Sequence, residues 1–165
     1  MLLVVVCCSF FISRRHRDLH WCTLISKYPN APCVSMSVNY DIPSVKEALD
    51  RIHIFLDICE LNESLYYKVD SCLDELTGNL ISMTENTGKK GSFDLRVVDD
   101  GKKITIIMKD DGKPYSPIVK YNAAEGSSIE DANLALVILN AFCPDLSYEY
   151  MNGINCVYMN INYTE

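Results

Sequence analysis

Apolar and polar side chains alternate with different periods along the first half of the chain, and each period predicts one kind of element. Residues 34–40 (VSMSVNY) alternate with a period of two, which indicates a strand with one buried face. From Asp41 to Glu60 the apolar residues recur at helical spacing and Pro43 falls in the first turn, so we expect a helix there. The same spacing from Ser64 to Glu85 predicts a second helix.

The second half of the chain predicts two hairpins separated by a long polar segment and a helix. The four strands of the hairpins are residues 92–98, 103–109, 147–151 and 155–162. Asp-Gly and Asn-Gly turns join them in pairs. The polar loop covers Asp110 to Glu130, and the helix covers Ile129 to Phe142. Grouped strands and helices in this order predict an α+β two-layer sandwich, with a mixed or antiparallel sheet covered on one face by about three helices.

The N-terminal segment differs from the rest of the chain. Residues 1–12 (MLLVVVCCSFFI) are almost wholly apolar, and a stretch rich in basic residues, 13–17 (SRRHR), follows. A membrane-spanning helix needs about 20 apolar residues, so this run is too short by itself. An apolar run followed by basic residues is nevertheless typical of the cytoplasmic end of a membrane helix. Two interpretations stay open, the end of the last span of a longer membrane protein or a buried or interfacial N-terminal helix.

Charge separates the same two parts of the chain. We expect residues 1–33 to form an apolar and basic segment or linker, and residues 34–165 to form the folded domain. Of the 165 residues, 15 are basic and 22 are acidic, for a net charge of −7. Residues 1–40 hold four basic groups against one acidic group, so residues 41–165 hold 11 against 21. This acidic body would repel a phosphate backbone, so we do not expect nucleic-acid binding.

The eight cysteines point to no metal or redox motif. No C-x-x-C pair occurs, so zinc ribbons and thioredoxin-like motifs lack their spacing. Cys59, Cys72 and Cys143 fall within apolar helical patterns and are interpreted as small core residues. Reduced thiols in a cytosolic protein are the expectation.

A polar stripe on the second predicted helix is the first candidate for chemistry. Glu75 and Asn79 lie one turn apart on one face, about 100° from the apolar stripe. A carboxylate and a carboxamide oxygen at this spacing suit Mg²⁺ and can orient a water or a hydroxyl group. The same pair also occurs on solvated helix faces, so the spacing alone leaves both interpretations open.

The second candidate follows the strand at residues 103–109 and reads DDGKPY over residues 110–115. A carboxylate at the end of a strand, here Asp110, can accept a hydrogen bond from an adenine amino group. Gly112 would let the base approach the backbone. By itself Asp-Asp-Gly is also a common turn sequence.

Together the two segments resemble the gyrase and histidine-kinase ATPase superfamily (GHKL). Residues 73–79 (LDELTGN) are similar to its N box, which has an E-x-x-x-N core. Residues 110–115 are similar to the D-x-G-x-P-F variant of its first glycine box. The resemblance covers residues 34–163 and is closest to the compact branch that contains the anti-sigma factor serine kinases. It implies the Bergerat-type ATP-binding fold.

The resemblance also implies a role for each matching residue. Glu75 would polarise the water or acceptor hydroxyl, and Asn79 would bind the Mg²⁺ that bridges the phosphates. Asp110 would bond adenine with Gly112 beneath the base, and residues 112–130 would form the ATP lid. The further cofactor-binding candidates are Pro114, Gly126, Asn133 and Asn155.

The chain departs from the family at two places. The second glycine box, G-x-G-L-x-L-V, should open the helix after the lid, but Asp131 and Asn133 stand where its glycines belong. Backbone amides at a glycine-rich helix start cradle phosphate, and Asp131 would add repulsion there. A threonine usually precedes the core of the last strand, and Asn155 occupies that position. Gly126 would serve as a flexible residue of the lid.

Three functions follow from these observations. The first is an ATP- and Mg²⁺-binding domain with serine/threonine kinase activity on a partner protein, as in anti-sigma factors. The second is a non-catalytic nucleotide sensor, such as the cytosolic tail of a membrane transporter similar to the MATE type. The third is an interaction module that binds no nucleotide. The expected partners are therefore ATP, a protein or fused membrane domain, and a second copy in a homodimer. The expected location is the cytoplasm or the cytoplasmic face of a membrane.

Overall fold

A computed structural model of the chain describes residues 31–85, 91–115, 117 and 139–163. The chain divides into Met1–Asn30 and Ala31–Glu165, and all described residues belong to the second unit. The predicted boundary after residue 33 stays a prediction. Among the described residues, no helix combines the length and apolar character that crossing a membrane requires.

Five strands and two long helices make up the described part of the domain. In chain order they are β1 (Cys33–Asn39), α1 (Ile42–Ile58), α2 (Glu63–Glu85), β2 (Ser92–Asp99), β3 (Lys103–Asp110), β4 (Ser147–Met151) and β5 (Ile154–Asn162). Residues 139–142 are also helical, and the rest of the helix predicted at 129–142 lies outside the described residues.

The described strands form one sheet in the order β1-β2-β3-β5-β4, and every neighbouring pair is antiparallel. Helices and sheet share one core, so the predicted α+β class is confirmed. The turn between β4 and β5 falls at Asn152 and Gly153, whose φ angles are 54° and 80°. Two positive φ values match the tight turn that Asn-Gly favours between strands.

Capping residues define where α1 begins and ends. The sequence predicts Asp41 as the first residue of the helix, but the structure makes it the N-cap. Its Oδ1 accepts a hydrogen bond from the Ser44 backbone N–H over 2.8 Å. At the other end Glu60 has a φ of 53°, which a right-handed helix cannot include. The helix therefore ends at Ile58, two residues before the predicted end.

The buried face of α2 turns around the helix axis toward its C-terminal end. Val69, Cys72 and Leu76 are buried as predicted, whereas Met83 is 39% exposed. Thr84 is buried in that last turn instead, and its hydroxyl donates to the Leu80 carbonyl over 3.0 Å. A threonine that bonds its own helix in this way satisfies its hydroxyl within an apolar core.

Two rows of apolar side chains on the sheet face the helices. On β3 the row is Ile104, Ile106 and Met108, and on β5 it is Val157, Met159 and Ile161; all six belong to the core that includes α1 and α2. Because side chains on one face recur every second residue, Asp110 continues the β3 row and Asn155 begins the β5 row. Asp110 is thus the last residue of β3, not the first residue of the predicted loop.

The two buried cysteines near α2 are thiols in contact with each other. The Sγ atoms of Cys72 and Cys143 are 3.4 Å apart, well beyond the length of a disulfide bond. All five described cysteines are free. Cys59 is only half-buried, so it belongs less fully to the core than its position in the sequence pattern suggested.

Candidate functional site

The antiparallel register brings two polar residues together at one end of the sheet. Asp110 and Asn155 are directly paired across β3 and β5. They are 1% and 0% exposed, in line with the apolar rows they terminate. Burying a carboxylate beside a carboxamide is costly unless each is hydrogen-bonded, so their partners determine what the pair can do.

Asp110 is held by two donors on one oxygen. Its Oδ1 accepts a hydrogen bond from the Gly112 backbone N–H over 2.7 Å and from Asn155 Nδ2 over 3.0 Å. The carboxylate therefore has a fixed orientation at the end of β3.

The absence of a side chain at Gly112 is part of this arrangement. A Cβ atom at that position would lie 2.5 Å from Asp110 Oδ1, closer than such atoms approach. A side chain at residue 112 would thus displace the carboxylate or the turn. Glycine at this position therefore accommodates the Asp110 carboxylate, and the approach of a base to this turn stays a prediction.

Asn155 connects the carboxylate to β4 and to the start of the segment after β3. Its Nδ2 also donates to the Lys113 carbonyl over 3.1 Å, and its Oδ1 accepts from the Tyr148 hydroxyl over 2.7 Å. The Tyr148 hydroxyl in turn accepts from the Tyr115 backbone N–H over 2.9 Å. We call Asp110, Gly112, Asn155, Tyr148 and the Tyr115 N–H the Asp110 network.

Sequence reasoning missed Tyr148. On β4 it pairs with Val157, which places it diagonally from Asn155 on the helix-facing side of the sheet. The available signal was the tight Asn-Gly turn, because that turn sets the register of β4 against β5 and so brings Tyr148 within reach of Asn155.

The two tyrosines of this region keep their phenol protons. Burial raises the pKa of Tyr115, and the negative charge of Asp110 raises it further. Burial also raises the pKa of Tyr148, against the opposing effect of the hydrogen bond from the Tyr115 backbone. The Tyr148 hydroxyl therefore remains a donor at neutral pH and above.

Glu75 and Asn79 lie together on α2, as the helical spacing predicts. Both side chains are half-buried, and Asn79 Nδ2 donates to the Glu75 carbonyl over 2.9 Å. A carboxamide held through its nitrogen carries its oxygen at the opposite end, and an amide oxygen is a ligand that Mg²⁺ accepts. In the parts of the chain that the structure describes, no three histidine, cysteine or acidic side chains cluster to hold a metal by themselves.

This donor set would hold a magnesium ion only together with further oxygens from a ligand or water. Mg²⁺ is commonly bound through one or two protein oxygens plus substrate phosphates, rather than by an all-protein cage. Glu75 and Asn79 supply oxygens of that kind without forming a complete cage. Of the remaining candidates, Pro114 is exposed at the surface, and Gly126 and Asn133 lie outside the described residues, as does Asp131, which was expected to oppose phosphate binding.

The family model of the histidine kinase-like ATPase domain matches residues 39–161. The chain belongs to this family. The match covers most of the chain and includes Glu75, Asn79, Asp110 and Asn155. Family membership implies ATP binding and supports the resemblance seen in the sequence. No curated protein matches the chain in sequence.

Solved structures show the same fold at low sequence identity. A chain of the SiaB–SiaC complex from Pseudomonas aeruginosa has a TM-score of 0.66 and 11% identity, with 88% of this chain and 99% of that chain covered. The RsbU and RsbW domains of Rv1364c from Mycobacterium tuberculosis give a TM-score of 0.57 and 10% identity, with 79% of this chain and 32% of that chain covered.

Proposed function

We propose that this domain binds Mg-ATP, with the adenine at the Asp110 network, and that the bound nucleotide regulates its interaction with a partner protein. The observation that carries the proposal is a buried carboxylate, held on one oxygen by Gly112 and Asn155, at the end of an otherwise apolar row. A fixed acceptor in an apolar setting selects a ligand that donates a hydrogen bond, since an unmatched ligand leaves buried polar groups unpaired.

Each part of the nucleotide has a counterpart in this proposal. The adenine amino group donates to the Asp110 carboxylate, and the base lies against the backbone at Gly112. Asn79 holds the Mg²⁺ that accompanies the phosphates, and the Glu75 side chain lies one helical turn away. The metal supplies positive charge to an acidic domain that would otherwise repel a triphosphate.

Regulation of a protein partner is supported by the proteins in which similar folds are found, since these form complexes or carry a further domain. One similar chain was solved in a complex of SiaB with SiaC, and another similar fold lies in a protein that also carries an RsbU domain. For this chain the partner is a separate protein or a membrane domain in the same polypeptide, at the cytoplasmic face. A ligand bound at Asp110 would contact the turn at residues 111–115, and through it would favour one state of the domain for such a partner.

Isothermal titration calorimetry with Mg-ATP tests nucleotide binding directly. We expect saturable binding by the wild type and much weaker binding by Asp110→Asn, which replaces an acceptor oxygen with a donor. The matched control is Asp145→Asn, an exposed acid outside the network. If the wild type binds neither Mg-ATP nor Mg-ADP, the domain is an interaction module without nucleotide and the proposal is wrong.

Phosphoryl transfer to a serine or threonine of the partner is a second candidate function. Glu75 favours it, because its carboxylate lies one turn from Asn79 and would orient the acceptor hydroxyl beside the metal. The assay follows label from γ-labelled ATP to a co-encoded partner protein. Glu75→Ala should abolish transfer while ATP binding persists, and Glu47→Ala on the exposed side of α1 should transfer normally. Equal transfer by wild type and Glu75→Ala would contradict this role.

A further inference from the structure

The orientation of the Asn155 carboxamide is determined by backbone groups that cannot exchange roles. The Tyr115 backbone N–H can only donate, so the Tyr148 oxygen must accept at that contact of 2.9 Å. A hydroxyl has a single hydrogen, which is then directed to Asn155 over 2.7 Å. The end of the carboxamide that meets Tyr148 must therefore be its oxygen.

The contacts at the other end of the carboxamide independently require the same orientation. The Lys113 carbonyl can only accept, so the atom 3.1 Å from it must be Asn155 Nδ2. Its second hydrogen reaches Asp110 Oδ1 over 3.0 Å. A reversed carboxamide would place its oxygen against the carboxylate, where two acceptors repel each other and both lose a partner.

Among the described residues, Tyr148 is the only member of the Asp110 network on β4. Removing its hydroxyl would leave the Tyr115 N–H without its acceptor and Asn155 Oδ1 without its donor. The carboxamide would then be held from its nitrogen end alone. The bond from Asn155 Nδ2 to Asp110 Oδ1 would remain but would be held less rigidly, and the carboxylate with it.

We propose that Tyr148 is a positioning residue for base selection: its hydroxyl orients Asn155, and Asn155 orients the Asp110 carboxylate that distinguishes an amino-bearing purine from a carbonyl-bearing one. This inference rests on the proposed binding of ATP. The added claim is that the preference for the adenine amino group depends on the Tyr148 hydroxyl on β4. This hydroxyl acts through Asn155 and does not have to contact the base.

Selectivity is the readout that separates positioning from general support of the fold. ATP carries an amino group at the purine C6 position and donates from it to the carboxylate, whereas inosine triphosphate (ITP) carries a carbonyl acceptor at C6 and has its N–H at N1 instead. Loss of orientation at Asp110 weakens only the ligand that uses this contact. A general loosening of the pocket weakens both ligands by the same factor.

The experiment measures Mg-ATP and Mg-ITP affinities by calorimetry for wild type and Tyr148→Phe. The loss of one oriented hydrogen bond predicts about fivefold weaker ATP binding with ITP affinity unchanged. The matched control is Tyr158→Phe, which removes the hydroxyl of a half-buried tyrosine of β5 that bonds Cys156 rather than the network. This control should keep the wild-type ratio of affinities.

A second background tests that Tyr148 acts through Asn155. In Asn155→Thr the carboxamide is gone, so adding Tyr148→Phe should produce little further change in the ATP-to-ITP ratio. Backbone amide exchange gives a readout without nucleotide: the Tyr115 amide should exchange faster in Tyr148→Phe than in wild type or Tyr158→Phe.

The outcomes separate this inference from the proposal beneath it. If the wild type prefers ATP but Tyr148→Phe keeps the same preference, or loses both ligands equally, the positioning role is overturned while ATP binding stands. If the wild type binds no nucleotide, both fall together. Unchanged exchange of the Tyr115 amide in Tyr148→Phe also overturns the inference, because the hydrogen bond on which it depends would be absent.

Discussion

Asn155 Nδ2 donates a hydrogen bond to Asp110 Oδ1 over 3.0 Å, across the two neighbouring strands β5 and β3. Both residues are essentially inaccessible to solvent. The pair therefore couples the stability of the fold to the geometry of the candidate base site, and substitutions on either side of it should affect both.

Replacing Asn155 by alanine should lower the free energy of unfolding by about 1–3 kcal/mol, because the Tyr148 hydroxyl and the Lys113 carbonyl lose a buried partner. Urea unfolding measures the loss. Asn162→Ala, an exposed asparagine at the end of the same strand, is the control and should change stability by less than about 0.5 kcal/mol. Equal stability of the two variants would show that the buried contacts of Asn155 contribute nothing.

Two glycine-to-alanine substitutions should have opposite effects. A Cβ at Gly112 would lie 2.5 Å from Asp110 Oδ1, so Gly112→Ala should destabilise the domain by about 1–3 kcal/mol. A Cβ at Gly78, in the middle of α2, would meet nothing within 4 Å, so Gly78→Ala should stabilise it by about 0.5–1 kcal/mol. Thermal unfolding of both variants checks the signs, and a stable Gly112→Ala domain with unchanged ATP affinity would contradict the close approach.

The buried thiol of Cys72 should be unreactive in the folded protein. Its contact with Cys143 and its burial raise its pKa above the ordinary value of 9.0, so the thiolate that reacts is scarce. At about pH 8, iodoacetamide should label the exposed Cys33 rapidly and Cys72 only after unfolding in urea. Peptide mass spectrometry resolves the two, and similar labelling rates would contradict the burial.

The same raised pKa predicts how stability depends on pH. Above pH 9.0 the unfolded chain releases the Cys72 proton while the folded protein retains it, so the unfolded state binds fewer protons. The free energy of unfolding should be unaffected by this group below pH 9.0 and should fall as the pH rises above it. Urea titrations at several pH values in this range measure how the free energy of unfolding changes with pH. An increase with pH would contradict the prediction.

Local patterns were sufficient to predict the elements of the fold and the residues that resemble the family. Strand alternation, helical spacing and the two turns with glycine predicted every described strand and both long helices to within two residues at each end. Asp110 and Gly112 were predicted as site residues from a short motif, and Asn155 from its place before the core of the last strand, where the family usually has threonine. Each of these signals is confined to a few consecutive residues.

Relationships between elements were not accessible in the same way. Tyr148 bonds Asn155 diagonally across a strand pair, and no local period marks it as different from Tyr150 on the same strand. Met83 fits the apolar spacing of α2, but it is exposed because the buried face turns toward Thr84 in the last turn. Both depend on how one element packs against another, and a pattern within a single element does not contain that information.

The most direct test of the account is the stability of the domain against urea with and without Mg-ATP. At a nucleotide concentration about 100 times the dissociation constant, binding to the folded state alone should raise the free energy of unfolding of the wild type by about 2.7 kcal/mol. We expect this increase for the wild type and for Asp145→Asn, and little or none for Asp110→Asn at the same concentration. No increase for the wild type with millimolar Mg-ATP or Mg-ADP, or an equal increase for Asp110→Asn, would contradict it.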